Sequence, residues 1–203
     1  QARQRRDFFE ALRKQLPVSS LYQVSADRLV IANDPVYVFS TGEIGAEGRD
    51  RLAPMVEALK RLVARLPAEF PWRLRIEGHS DSRPIRSYRQ FESNWELSAA
   101  RAVSMLRFLA AEGLPQERLL AVGLADTHLR DPGDSAAAHR RNRRVEIHLV
   151  YCAAADELFS SETRLLDGRR GRGALWRVPR CVGGHGVSGQ MPDFFPSQSA
   201  IFA

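Results

Sequence analysis

The stretch GHSDSRPIRSYRQFESNWELSAAR, residues 78–101, decides how the rest of the chain is organised. It follows an alternating run over 72–77, which is typical of a half-buried strand. It leads into a run of small and apolar residues over 97–111, which predicts a largely buried helix. In α/β units, ligands bind at such strand-to-helix junctions. The stretch is therefore a candidate recognition site.

The composition is that of a basic chain with enough apolar residues for a core. It has 203 residues, of which 44% are hydrophobic, and a formal net charge of +6. This length suits one domain with additional segments. The positive charge favours an anionic partner without identifying it. The basic clusters lack the interleaved aromatic residues of nucleic-acid-binding surfaces, so we expect no nucleic-acid partner.

The two cysteines do not indicate a disulfide scaffold, and the apolar runs do not indicate a membrane span. Cys152 and Cys181 are too far apart for a CxxC zinc motif, and one bridge or two free thiols are equally consistent with them. No apolar run approaches the roughly 20 residues of a membrane helix. Because the sequence starts at Gln1 and not at methionine, we expect it to be part of a longer gene product, from which an upstream anchor or leader has been removed.

In the first third of the chain, the pattern predicts two helices and two short strands. An amphipathic helix is predicted over 1–16, and strands over 28–32 and 36–39. The most regular helical period runs over 47–66. Pro54 lies inside it, so either the regular helix begins just before this proline or the helix is kinked there.

The second half repeats the alternation of strand and helix. Ser93 and Glu96 have the spacing of a capping box and predict the start of the second long helix. Strands are predicted over 119–123 and 145–150, with a polar loop over 124–139 between them. This order predicts an α+β fold, a sandwich with helices packed on one face of a mixed sheet.

Composition divides the chain into three parts. Residues 1–27 form an amphipathic or linker segment, whose helix we expect on the domain surface, with a membrane-proximal or dimerisation role as the alternative. Residues 28–152 form the domain. Residues 153–203 are predicted to be a poorly ordered basic tail, which is either solvated or in contact with an anionic surface.

Two opposite charges in the opening stretch suggest what it recognises. Arg101 is an isolated charge among alanine and valine on a mostly buried helix, and its planar fork suits a carboxylate. A salt bridge to Asp81 or Glu112 is the structural alternative. Asp81 lies in a turn, where it can cap backbone N–H groups or receive an ammonium group. Together, Asp81 and Arg101 suit a zwitterion.

Enzyme hypotheses find little support in the sequence. The histidines come from separate segments and form no HExxH pair, and there is no GxSxG elbow, P-loop or GxGxxG. His148 alternates with apolar residues and is predicted to be exposed. His79 and Asp81 could form part of a metal site, although such spacing is common by chance. We therefore expect a binding module without catalytic residues, metal or cofactor.

Three linked motifs resemble a known family. GHSD at 78–81, NWELSAARA at 94–102 and NRRVEI at 142–147 resemble, in order and spacing, the OmpA-like peptidoglycan-binding domain. The resemblance covers residues 36–150. The RPI segment at 83–85 and the long loop after it look like the MotB branch of that family.

The resemblance implies an OmpA C-terminal-like βαβαβ sandwich that binds the peptidoglycan stem peptide non-covalently. In the family, the aspartate of the first motif and the arginine of the second hold the α-ammonium and α-carboxylate of meso-diaminopimelate. These positions are Asp81 and Arg101 here. The other pocket residues that the resemblance implies are Ser80, Asn94, Leu97, Asn142 and Arg143. The segments GLAD at 123–126 and AAAHR at 136–140 depart from the family pattern.

The resemblance also implies a cellular role. A MotB-like chain is periplasmic and tethered to the inner membrane by an upstream helix, and it dimerises. It anchors an inner-membrane complex, such as an ion-driven stator, to the cell wall. The alternatives are a general outer-membrane or Pal-like anchor, a secretion-system anchor, and a cell-wall hydrolase with a metal at His79 and Asp81.

Overall fold

The computed structural model describes residues 2–38, 41–67, 70–85 and 90–151. The predicted tail and both cysteines lie outside the described residues. The helices are α1 (Ala2–Gln15), α2 (Ala46–Val63), α3 (Asn94–Ala111) and α4 (Ala136–Asn142), with a 3-10 turn at Gln116–Arg118. The strands are β1 (Tyr22–Val24), β2 (Arg28–Ala32), β3 (Trp72–His79), β4 (Leu119–Gly123) and β5 (Arg144–Tyr151).

The five strands form one mixed sheet in the order β1-β2-β5-β3-β4. β3 and β4 are parallel and flank α3 in the chain, whereas the other neighbouring pairs are antiparallel. Alternate side chains such as Leu74 and Ile147 join apolar residues of α1, α2 and α3 in one core. The predicted α+β fold, with helices on one face of a mixed sheet, is confirmed.

The N-terminal segment shares this core. Phe8, Phe9 and Leu12 of α1 are buried in it, which confirms the prediction that α1 packs on the domain. β1 was not predicted, because a strand of only three residues shows no recognisable alternation; it pairs with β2. The boundary between residues 27 and 28 stays a prediction, and the segments on its two sides contribute to the same sheet.

The strand predicted over 36–39 is wrong. The carbonyl of Asn33 accepts hydrogen bonds from the N–H groups of Val36 and Tyr37 and closes a turn instead. Tyr37 forms only an isolated bridge with Ile44. Val36 and Tyr37 are nevertheless buried, so their apolar character reflects a packed turn rather than a strand. Phe39 lies outside the described residues.

Helix α2 starts well before its proline. It runs continuously through Pro54, so the interpretation that it begins just before this residue is wrong. Gly48 lets its first turns approach the Val36 turn, because a Cβ at Gly48 would lie 2.4 Å from the Val36 carbonyl oxygen. This backbone contact holds the start of α2 beside the turn.

Part of the predicted loop over 124–139 is helical. α4 begins after Ser135, whose side chain accepts a hydrogen bond from the N–H of Ala138 as an N-cap. The helix has only seven residues and one short run of alanines, so it shows no period that a sequence pattern could reveal.

Two paired glycines bring α3 onto the sheet. Gly78 of β3 and Gly123 of β4 are register partners. A Cβ at Gly78 would lie 2.0 Å from the carbonyl oxygen of Ser98, and one at Gly123 would lie 2.7 Å from the backbone nitrogen of Ala99. Only glycine permits this close approach of backbones. The contact places the end of β3 beside the first turns of α3.

Candidate ligand-binding site

A cavity of about 770 Å³ opens where β3 ends and α3 begins, at the predicted junction. Its walls come from the turn after β2, the loop after β3, the first turns of α3 and Arg143 beside β5. The lining residues are Asn33, Asp34, Tyr37, Val38, Ser80, Asp81, Arg83, Pro84, Ile85, Phe91, Asn94, Leu97, Arg101 and Arg143. The wall combines apolar groups with two acids and three arginines.

Arg101 is a buried charge with free hydrogen-bonding capacity. The residue is 8% exposed, and within the described part of the chain neither its Nε nor its Nη1 has a hydrogen-bond partner. The Tyr37 ring lies 5.9 Å from its guanidinium carbon, and the Tyr37 hydroxyl donates to the Arg101 carbonyl at 2.9 Å. Burial lowers the pKa of Arg101, but a guanidinium remains charged in proteins.

The alternative of a salt bridge from Arg101 to Asp81 or Glu112 is wrong for the described residues. Neither Asp81 nor Glu112 forms an ion pair with it, and within the described part of the chain its Nε and Nη1 are unpaired. A buried polar group without a partner costs roughly 1–3 kcal/mol, and more when it is charged. Arg101 therefore gains most from a ligand that brings a carboxylate into the cavity.

Asp81 is the negative group of the cavity. It is 6% exposed, and its carboxylate accepts hydrogen bonds from the backbone and side chain of Arg83 and from Arg143. Burial opposes the charge of Asp81, but the hydrogen bonds from the two arginines outweigh burial and lower its pKa below the ordinary value. Asp81 is therefore ionised at neutral pH.

Arg143 connects Asp81 to a second acid. Its Nε and Nη2 donate to the two carboxylate oxygens of Asp34 at 2.8 and 2.6 Å, and its Nη1 donates to Asp81 at 2.6 Å. The bonds to Asp34 and Asp81 raise its pKa above the ordinary value, against the effect of burial. Arg143 is thus held in a fixed position between two carboxylates.

Ser80, Asn94 and Leu97 also line the cavity. The Ser80 hydroxyl donates to the Asp81 carbonyl at 3.0 Å. The Asn94 amide donates to the carbonyls of Asp81 and Arg83 at 3.3 and 2.9 Å. These two polar side chains therefore hold the loop after β3 in shape, and Leu97 supplies apolar wall.

Asn142 does not line this cavity, in contrast to the prediction. It is 1% exposed, and its side-chain oxygen accepts from the N–H groups of Arg130 and Asp131 at 2.9 and 3.0 Å. Its amide nitrogen donates to the Asp131 carbonyl at 2.7 Å. Because all of these bonds go to one loop, Asn142 fixes that loop.

The sequence did not indicate Asp34 or Tyr37 as site residues. Both belong to the turn that the Asn33 carbonyl closes after β2. Asp34 meets Arg143 across 109 positions of sequence, a pairing that no local pattern reveals. Arg83 was noted only as a mark of the MotB branch, and its contact with Asp81 was not foreseen.

A second charged cluster lies on the face of the sheet opposite the core. Glu146 is 1% exposed and is bonded to Arg144 at 2.6 Å, Arg28 at 2.9 Å and His148 at 3.2 Å. Glu77 pairs with Arg75 at 2.7 Å and with His148 at 3.3 Å. Burial opposes both carboxylate charges, but the bonds from His148 and the arginines lower the pKa of Glu77 and Glu146 well below the ordinary value.

His148 is buried in this cluster, so the prediction that it is exposed is wrong. It is 8% exposed, with Arg28 and Arg75 as its register partners on the two neighbouring strands. Burial alone would lower the pKa of His148, but its bonds to Glu146 and Glu77 raise it above the ordinary value. An alternating pattern indicates which residues share a face of the sheet, but not whether long polar side chains cover that face.

His79 belongs to the same cluster, and it does not meet Asp81 as the alternative of a metal site at these two residues requires. His79 lines the space beside Glu77 and Glu146, whereas Asp81 lines the cavity described above. Ligand atoms of Glu77, His79 and Glu146 do lie within 4.8 Å of one another. However, nearby guanidinium groups already compensate both carboxylates, which removes the electrostatic attraction for a divalent cation.

Comparison with known proteins assigns the chain to a family. A family model described as the OmpA family matches residues 36–143, which include every lining residue of the cavity except Asn33 and Asp34. The chain belongs to the OmpA family. The predicted family is therefore confirmed. Among the described residues of this OmpA-family chain, no helix is both long and apolar enough to cross a membrane.

Relatives of this OmpA-family chain include motility proteins. Motility protein B of Escherichia coli is 36% identical over 106 residues, which is 51% of this chain and 32% of that protein. The uncharacterized protein YtxE of Bacillus subtilis is 38% identical over 120 residues, which is 59% of this chain and 47% of that protein. The matched region thus spans less than half the length of either relative.

Solved structures share the fold. A MotB-like protein from Desulfovibrio vulgaris has a TM-score of 0.61 at 22% identity, over 73% of this chain and 91% of that chain. The periplasmic domain of Helicobacter pylori MotB has a TM-score of 0.53 at 20% identity, over 73% and 100%. The cell wall anchor of the T6SS from Pseudomonas aeruginosa has a TM-score of 0.54 at 29% identity, over 72% and 96%.

Proposed function

We propose that this chain binds peptidoglycan non-covalently and anchors an envelope complex to the cell wall. The ligand group is the zwitterionic end of a stem peptide, the α-ammonium and α-carboxylate of meso-diaminopimelate. The observation that carries the proposal is the buried guanidinium of Arg101, whose Nε and Nη1 have no hydrogen-bond partner among the described residues, in a cavity that also contains the Asp81 carboxylate. Arg101 takes the ligand carboxylate and Asp81 takes the ammonium.

The remaining cavity residues support this assignment by what they contribute. Asn94 and Ser80 hold the loop that carries Asp81. Leu97 is apolar wall for the aliphatic part of the ligand. Arg143, fixed by Asp34, keeps Asp81 ionised. No step of this mechanism makes or breaks a covalent bond, so the chain acts as a binding module.

A peptidoglycan pull-down tests the proposal with Asp81→Ala and Arg101→Ala. Each variant loses one charge-assisted contact of about 1.5–3 kcal/mol, so binding should weaken by about 10- to 150-fold. Asp50→Ala and Arg107→Ala are matched controls, because both side chains are on exposed helical positions outside the cavity. Circular dichroism checks that each variant is folded.

Binding that is unchanged in both cavity variants would refute the site. The supernatant of the same assay addresses the hydrolase alternative. Soluble muropeptides released with added Zn²⁺ would show that the chain is an enzyme.

The relatives suggest which complex the chain anchors. Similarity to Motility protein B favours a stator-type inner-membrane complex, with the chain in the periplasm, tethered to that membrane and dimeric. The T6SS cell wall anchor has the same fold, which keeps a secretion-system complex as the second candidate. Co-purification from membranes with the full-length product, followed by cross-linking, distinguishes the two complexes and measures the oligomeric state.

A further inference from the structure

Among the described residues, four hydrogen bonds already reach the carboxylate that should receive the ligand ammonium, and three of them end on Oδ2. Oδ1 of Asp81 accepts from the backbone N–H of Arg83 at 3.2 Å. Oδ2 accepts from Nε and Nη2 of Arg83 at 3.2 and 2.7 Å and from Nη1 of Arg143 at 2.6 Å. A carboxylate offers about four acceptor positions. Because Oδ2 already accepts three hydrogen bonds, an ammonium group that binds this oxygen must displace one of its donors.

The two arginines differ in how firmly they are held. Arg143 has a second, bidentate partner in Asp34, and its side chain is 19% exposed. The side chain of Arg83 is 60% exposed, and within the described residues its ion pair is with Asp81. When Arg83 leaves, its guanidinium enters water and regains hydration. Arg83 is thus the donor that costs least to displace.

We propose that Arg83 is an internal competitor that occupies the ammonium subsite at Asp81 until a ligand displaces it. This inference rests on the proposed function, because it assumes that Asp81 binds the ligand ammonium. A ligand with a properly placed ammonium replaces one positive partner of Asp81 by another. A ligand without that ammonium leaves Arg83 in place, so the polar end of the ligand meets the guanidinium group of Arg83. Arg83 therefore sets both the affinity and the selectivity of the cavity.

Isothermal titration calorimetry of the full chain with a soluble muropeptide tests this competition. One muropeptide carries a free diaminopimelate end, and a second is identical except that this amine is acetylated. Removing the competing guanidinium, whose side chain is largely exposed, should tighten binding of the free-amine ligand to Arg83→Ala by about two- to five-fold. The acetylated ligand should bind weakly to wild type and gain nothing from Arg83→Ala.

Arg141→Ala is the matched control. Its side chain is 58% exposed and pairs with Asp131 away from the cavity, so it removes an equal charge without freeing Asp81. Its affinity for the free-amine ligand should equal that of wild type. Arg83→Lys keeps the charge without the planar fork, and its affinity should lie between those of wild type and Arg83→Ala.

The outcomes separate this inference from the proposed function. If binding depends on Asp81 and Arg101 but Arg83→Ala binds equally or more weakly, Arg83 is not a competitor and the proposed function stands. If the acetylated ligand gains as much as the free amine, the effect is general electrostatics and the inference fails. If wild type and Arg83→Ala both fail to bind either muropeptide, both proposals are overturned.

Discussion

The cavity at the end of β3 and the charged cluster on the face of the sheet opposite the core are built from the same residue types. In the cluster, the buried carboxylates of Glu77 and Glu146 have arginine and histidine partners at 2.6–3.3 Å. In the cavity, Arg101 is buried to a similar degree but keeps two nitrogens unpaired among the described residues. The difference indicates that paired charges maintain the fold, whereas an unpaired one is available for a ligand.

The largest expected effect is on stability, from Glu146→Gln. The substitution leaves the guanidinium of Arg144, which is 5% exposed, without its carboxylate. Breaking such a buried pair costs about 3–5 kcal/mol. Urea denaturation should show this loss, while the folded fraction should still bind peptidoglycan. Glu47→Gln, in an exposed helical pair with Arg51, is the control and should change stability by less than about 0.5 kcal/mol. Equal stability of the two variants would show that the cluster is not structural.

In contrast to Glu146→Gln, the substitution Arg101→Met should stabilise the fold. Methionine occupies the volume of the arginine stem without burying an unpaired charge, so the unfolding free energy should rise by about 1 kcal/mol or more. Retention on peptidoglycan should fall at the same time. Arg107→Met, at an exposed position of α3, should change neither quantity. A less stable Arg101→Met variant would place Arg101 with the structural charges and remove the contrast between the two regions.

The smallest effect is a pH dependence from His148. Its pKa in the folded chain lies above the ordinary value of 6.5, so its contribution to stability is complete below that value and is lost as pH rises through the folded pKa. Burial lowers the pKa of the neighbouring His79, so His79 contributes in the opposite direction. The stability difference between wild type and His148→Gln, measured by thermal unfolding, should therefore shrink as the pH rises above 6.5. A difference that grows over this range would contradict the assignment.

Local sequence patterns predicted those parts of the fold that depend on local physics. β2 and β4 have the predicted bounds, and α3 begins after Ser93, whose hydroxyl accepts from the N–H of Glu96. The turn at Val36 was mistaken for a strand because both conformations bury the same apolar residues. α4 was missed because a two-turn helix held by a cap and a loop contact has no period.

For a similar reason, the residues of the site could be predicted from the sequence only in part. Asp81 and Arg101 attract notice because each is a charge in an otherwise apolar or turn-forming context. The contacts of Asp34 with Arg143, and of Arg83 with Asp81, depend on how the turn after β2 and the loop after β3 pack together. Isolated charges can be found in a sequence, but their partners depend on the packing of distant segments.

The glycine pair beneath α3 has a mechanical consequence for a wall anchor. Gly78 and Gly123 remove the layer of side chains that normally separates a helix from a sheet, so the backbones of α3 and β3 touch at Ser98. Under the proposed function, tension on a ligand bound by Asp81 and Arg101 would pull on the end of β3 and on the first turns of α3 together. Because the described backbones of β3 and α3 are in direct contact at Gly78, the distance between the two binding residues would then change little under load.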